Sequence, residues 1–343
     1  MNFKAPDDLR FIAHDSSYAV KNLVTPIHPN RPLQNVHRFA VFTVACTFLL
    51  LIAGALVTSN DAGLSVPDWP LSYGSLTPPM VGGIFYEHGH RMIASFVGIL
   101  SIVLAVWLWR AETQGPAGLR GNKKRWLRWL GVAAVGAVVA QGLLGGLTVL
   151  FFLPPAVSSA HATLAQIFFA TVASIALFTS AWWEREPGLG LHDYGSGSIH
   201  VLCVATVCAV LVQLILGAAF RHKAFGIIPH LAGAVVVTGL IFWLAGALKR
   251  RFRGVPELRF AARGLHILIG LQLLLGAAAY WSRLYAASFP QPIPVMVALT
   301  VAHVVTGALV LVGTVLVTLV CFHLVRPAGA AVAAPLTRPS AAD

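Results

Sequence analysis

Eight apolar stretches, each about 20 residues or longer, decide most of what this chain can become. They lie at about 39–58, 88–110, 126–150, 157–183, 199–220, 228–248, 262–282 and 295–325. A helix rises about 1.5 Å per residue, so ~20 residues cross the ~30 Å of hydrocarbon in a bilayer. Lipid offers a backbone amide no partner, and a helix closes those hydrogen bonds internally. Composition agrees with this. Of 343 residues, 57% are hydrophobic and 10% are charged, with a mean hydropathy of +0.77. A soluble domain carries roughly 25% charged residues, and a chain of this length cannot enclose so much apolar mass. The sequence predicts an all-α integral membrane protein of eight transmembrane helices.

A net charge of +12 would suit a nucleic-acid partner, but the placement of the basic residues argues against one. Lys4, Arg10, Lys21, Arg31 and Arg38 precede the first span. Arg110, Arg120, Lys123, Lys124, Arg125 and Arg128 lie around the second connection, and Arg185 follows span 4. Lys249, Arg250, Arg251, Arg253, Arg259 and Arg263 lie between spans 6 and 7, and Arg326 and Arg338 close the chain. The opposite side has only Arg91, Arg221, Lys223 and Arg283. The positive-inside rule therefore predicts cytoplasmic termini in a multi-pass protein of the cell inner (plasma) membrane. Cys46, Cys203, Cys208 and Cys321 fall inside apolar stretches, without the spacing of a metal or disulfide framework, and read as small core residues.

The spans repeat. LLLIAGALV (49–57), VAQGLLGGLTV (139–149), LVQLILGAA (211–219) and LQLLLGAAA (271–279) close the odd-numbered spans. Gln141, Gln213 and Gln272 each precede a glycine by four residues, at Gly145, Gly217 and Gly276. Gly54 fills that place in the first copy, with Leu50 in place of the glutamine. Each phrase leads to an outer loop and then to an even span with a histidine: His90, His161, His230 or His303. A small residue follows each histidine by one helical turn, at Ala94, Ala165, Ala234 and Gly307, leaving room for a flat ligand or for close helix packing. The predicted architecture is two pseudo-symmetric four-helix bundles, 38–183 and 199–325, joined by a cytoplasmic linker at 184–198. Residues 1–37 read as a cytoplasmic extension without a signal peptide, and 326–343 as a disordered cytoplasmic tail.

Four histidines at equivalent positions on bundle helices point to axial ligation of haem iron. Zinc and copper fit two-histidine sites poorly, because thiolate or carboxylate partners at similar depth are missing. The first half differs from the others at Tyr86-Glu87-His88-Gly89-His90-Arg91-Met92. Glu87 lies three residues before His90, where the other copies have Ser158, Ile227 and Thr300. Glu87 can face the pocket if the helix has already begun there, or it can pair with Arg91 at the membrane surface. The first outer loop, Thr58 to Pro70, holds no Lys or Arg and is rich in Gly and Pro. It reads as a lid over the first bundle or as an ordered loop with Trp69 at the interface.

The GALVTS…AGLSVPDWP phrase (54–70), the Glu87-x-x-His90-Arg91 motif and the single histidines on spans 4, 6 and 8 resemble the haem A synthase family. The resemblance covers about residues 38–325. It implies oxidation of a ring methyl of haem O to the formyl group of haem A, through an alcohol and a diol, for assembly of haem-copper oxidases. It further implies substrate haem between His90 and His161 with Arg91, haem b between His230 and His303, and Glu87 at the reacting methyl. Implied partners are haem O, haem O synthase and an electron acceptor, with homo-oligomerisation open. Some family members carry a cysteine pair in the first outer loop, and this chain has none there. Two alternatives share the four ligands: a non-catalytic dihaem cytochrome that transfers electrons, and a haem carrier in oxidase assembly. Neither has a use for Glu87.

Overall fold

Four of the long helices carry proline in their first turn. In the computed structural model, which describes residues 31–113, 125–184, 191–193, 195 and 197–326, eight long helices cross the membrane. They are α1 (Arg31–Ser59), α2 (Gly82–Thr113), α3 (Arg125–Leu150) and α4 (Pro155–Phe178) in the first half. The second half holds α5 (Ile199–Arg221), α6 (Ile228–Arg251), α7 (Pro256–Ala286) and α8 (Pro294–Leu324). Proline stands in the first turn of α4, α6, α7 and α8, where its missing N–H costs nothing and its fixed φ suits the helix. Hydroxyls inside the helices return their hydrogen bonds to the preceding turn: Thr47 to Thr43, Ser174 to Ala170 and Thr206 to Leu202. These hydroxyls then present no unpaired hydrogen to lipid.

Each half is a closed ring of four helices. In the first, α1 packs on α2 and α4, and α3 on α2 and α4; in the second, α5 packs on α6 and α8, and α7 on α6 and α8. Between halves, α4 meets α8, α1 meets α8, and α4 meets α5. Exchanging the halves maps this set of contacts onto itself, as a two-fold axis passing between α4 and α8 requires. Those two helices are accordingly the most enclosed of the eight. Leu51, Phe169, Ala170 and Ala173 of the first half join the buried core of the second, while Leu104, Val172 and Ile175 centre a separate cluster within the first.

The part of the expected linker nearest α5 is tied down. Leu191–His192 pairs in parallel with Val325–Arg326 after α8. Asp193 accepts from Ile199 N–H at 2.8 Å, capping α5, and pairs with Arg251 at the end of α6 at 3.0 Å. Burial pushes the Asp193 carboxyl up, but the Ile199 and Gly195 N–H groups and Arg251 together hold it below its ordinary value. The expectations for 1–30 and 327–343 lie outside the described residues.

Candidate functional site

The even helices α2, α4, α6 and α8 all start at the same end of the bundle, and their histidines fall within nine residues of those starts. At ~1.5 Å per residue, all four lie within about 14 Å of that end, called the histidine end below. α2 begins at Gly82 rather than near 88, so Glu87 and His90 share one helix face, as the sequence reading required.

Each imidazole leans on the glycine of the repeated phrase. A methyl on Gly54 would lie 3.1 Å from His90 Cε1, and one on Gly145 would lie 3.2 Å from His161 Cε1. In the second half the fit is tighter: 2.9 Å from Gly217 to His230 and 2.8 Å from Gly276 to His303. A side chain in any of these places would push the ring away. The small residue at i+4 does something else. Gly307, one turn beyond His303, makes room for Gln272, 3.2 Å from where its methyl would stand.

The repeated glutamines complete the cradle. Gln141 Nε2 donates to the His161 carbonyl at 2.9 Å, and Gln213 Nε2 to the His230 carbonyl at 2.8 Å. Gln272 Nε2 approaches the His303 ring at 3.4 Å. His161 Nδ1 lies 3.2 Å from the Gln141 carbonyl, so an N–H there donates and leaves Nε2, 3.5 Å from Gln141 Nε2, as the lone-pair nitrogen that a metal could take. Beside them Gln141, Gln213 and Gln272 leave Oε1 without a donor among the described residues, as His90 and His303 leave Nδ1 without a partner. Buried polar atoms of this kind mark a pocket built for something more.

His230 and His303 face each other with ring centroids 6.3 Å apart and planes at 88°. Imidazole–metal bonds run about 2 Å, so two rings on opposite sides of one ion have centroids about 6 Å apart. The second pair has that separation without rearrangement. His161 lies within electrostatic reach of His90, giving the first half its own pair. Among the described residues, no cluster of three or more His, Cys, Asp or Glu could enclose a bare ion. A two-histidine site therefore suits a metal that brings its own equatorial ligands, as haem iron does.

The carboxylate is buried and doubly held. Glu87 is 4% exposed; its Oε1 accepts from Arg91 Nη2 at 2.7 Å and its Oε2 from Val66 N–H at 2.9 Å. Both sequence-level possibilities thus hold together: Glu87 pairs with Arg91, but inside the protein and beside His90. Arg91 also donates through Nη1 to the carbonyls of Asp68 at 2.8 Å and Leu71 at 2.7 Å. His88 is buried on α2, with Nδ1 2.8 Å from Ser72 Oγ.

These contacts fasten the first loop over the end of the first bundle. Asp68 accepts from Tyr73 N–H at 2.7 Å and Gly74 N–H at 2.8 Å, closing a tight turn. The Gly74 N–H chiefly, with Tyr73 N–H and the Arg91 charge, holds the Asp68 carboxyl below its ordinary value. Trp69 crosses to α3, where a methyl on Gly146 would lie 2.7 Å from its ring. Gly146 neighbours Gly145, so the indole lies one residue from the wall of His161.

The histidines, Glu87 and Arg91 stand out in the sequence as site residues; the glutamines and glycines do not. The glutamines and glycines do have a signal in the repeat: a glycine precedes every one of the four histidines, with a glutamine four residues before it in three copies.

The sequence matches the family described as cytochrome oxidase assembly protein over residues 37–82 and 82–330. It is 33% identical to the haem A synthase of Symbiobacterium thermophilum over 277 residues, 68% of this chain and 83% of that one. It is 24% identical to the haem A synthase of Bacillus licheniformis over 269 residues, 71% of this chain and 85% of that one. The haem A synthase of Bacillus pumilus is 27% identical over 271 residues, again 71% of this chain and 85% of the relative.

Proposed function

This chain belongs to the cytochrome oxidase assembly family, and from that premise we propose how its two halves divide the work of a haem A synthase. Substrate haem O occupies the first half between His90 and His161, and a resident haem b the second, between His230 and His303. The observation that carries the reading is the asymmetry of an otherwise four-fold pattern. All four imidazoles rest on a glycine, but only His90 has a carboxylate one turn away.

Oxidation of a methyl to a formyl group consumes one water in net, releases four protons and passes four electrons to an external electron acceptor. It runs through an alcohol and a diol that loses water. Glu87 is the residue for those protons. A carboxylate has about four lone-pair sites, and Arg91 and Val66 N–H use one each. The rest can accept from a reacting group, as a general base must. Arg91 serves the substrate through the loop: its hydrogen bonds hold the loop carbonyls and Glu87 in one arrangement. Trp69 and the loop keep bulk water from the first site.

In the second half, Gln213 and Gly217 orient His230, and Gln272 and Gly276 orient His303. Haem bound there supplies one-electron redox chemistry. The basic residues flanking the connections support a plasma-membrane protein with cytoplasmic termini, which puts the histidine end outside. The test is expression of the full chain with and without a source of haem O, followed by haem extraction and chromatography. Haem A appears only with the substrate present. Its absence from a folded, haem-loaded protein would leave a dihaem cytochrome or a carrier.

A further inference from the structure

The histidine end holds few cations, and one of them is spoken for. Arg91 is paired with Glu87 and with loop carbonyls. The other three, Arg221, Lys223 and Arg283, gather at the mouth of the second bundle, after α5 and near the end of α7. Arg221 is half-buried, and its guanidinium donates to Ser59 Oγ at 2.7 Å, linking α5 to the end of α1. Asp61 and Arg283 are its charged neighbours, and its charge also reaches His303 and His222. Burial, then Arg221 and His161, push the His222 imidazole down to about 4, so His222 adds no positive charge at neutral pH. Arg283 lies over the Phe220 ring, 5.8 Å from its centre. Among the described residues neither arginine has a carboxylate within ion-pair distance. Arg283 is exposed and Arg221 half-buried, and two like charges near each other at the edge of the bundle favour an anion that joins them.

A porphyrin of the haem type carries two carboxylates on one edge, and they need cations wherever the macrocycle sits among apolar helices. We propose that Arg221 and Arg283 bind the propionate carboxylates of the macrocycle held by His230 and His303. This rests on the reading of the second half as a haem site. It gives the two halves different grips. The first half spends its arginine on its own carboxylate and loop, which suits a guest that must leave. The second keeps two arginines for a resident.

The experiment uses the full chain with His90→Ala, leaving only the second histidine pair, reconstituted in detergent with ferric protoporphyrin IX or its dimethyl ester. Transfer to excess apomyoglobin gives the release rate of each. The free acid leaves at least tenfold more slowly than the ester. In Arg221→Gln/Arg283→Gln the acid leaves as fast as the ester, and Arg221→Lys restores part of the difference. Equal release of acid and ester, with a spectrum still sensitive to His230→Ala, overturns the arginine assignment and leaves the haem site standing. A spectrum indifferent to His230→Ala overturns the site and the assignment together. If the double variant instead loses binding to phosphatidylglycerol vesicles while the acid-to-ester ratio stays unchanged, the pair serves a lipid headgroup and the proposal fails.

Discussion

The imidazole of His303 rests against Gly276, so closely that a single methyl there would stand 2.8 Å from Cε1. Carbon atoms meet without strain at about 3.5–4.0 Å, so Gly276→Ala must turn the ring or move α7. Overpacking of this kind costs about 1–3 kcal/mol. The expected outcome is a shifted or weakened haem b spectrum in otherwise folded protein. Gly270→Ala, on the same helix with open space around it, leaves the spectrum unchanged. Equal behaviour of the two variants would show that the glycine does not set the ring.

Glu87→Gln keeps size but cannot take a proton at the same cost, and one base typically contributes ~10²–10⁴ in rate. Haem A formation should fall by that order while haem b content persists. The structure adds a control. Arg91 and Val66 N–H both donate to Glu87, and an amide offers oxygen to only one of them. The variant must therefore be checked for a loosened loop by limited proteolysis of residues 60–81. A folded variant with an intact loop and near-normal haem A output would remove Glu87 from the chemistry.

Asp68 provides a pH handle. Its carboxyl titrates below its ordinary value because it accepts from the Gly74 and Tyr73 N–H groups. A depressed carboxylate contributes stability that is complete above its unfolded pKa, about 3.9, and is lost as pH falls through the folded value. Pepsin cleavage of the loop, normalised to an unfolded control, should climb as pH drops below about 4. Asp68→Asn should be cleaved readily at pH values where the parent resists. A parent loop that stays resistant throughout would mean the turn does not depend on the carboxylate.

Orientation can be read separately. A reporter fused after Arg326 should report the cytoplasm, and one inserted between Leu76 and Thr77, both exposed, should report the other side. The asymmetry of Lys and Arg between the two sets of loops motivates this. The reverse pattern would move the histidine end to the cytoplasmic face.

Much of the fold was written in local pattern. Apolar length located the eight spans, and the recurrence of Gln, Gly and His revealed the duplication before any contact was known. Two things were out of reach. Helix α2 starts six residues before the apolar stretch does, because Ile84, Phe85 and Tyr86 extend the helix through a polar segment that hydropathy alone discounts. The loop's attachment through Arg91 joins residues 20 or more apart, by hydrogen bonds to backbone carbonyls that carry no mark in the side-chain sequence. Contacts to carbonyls are visible only once the chain is folded.

The pairing of α4 with α8 across the pseudo-two-fold carries a consequence for how such a molecule can diverge. Two separate identical chains meeting along that seam would have to carry every change twice, so a carboxylate gained beside one histidine would appear beside its counterpart as well. Joining the copies end to end, with the approach to α5 pinned by Asp193 and Arg251, removes that obligation. One copy can then keep Leu50, Glu87 and Arg91 while the other keeps Gln213, Ile227 and Leu231 at the matching places. Covalent fusion is what lets one architecture hold a worker and its attendant.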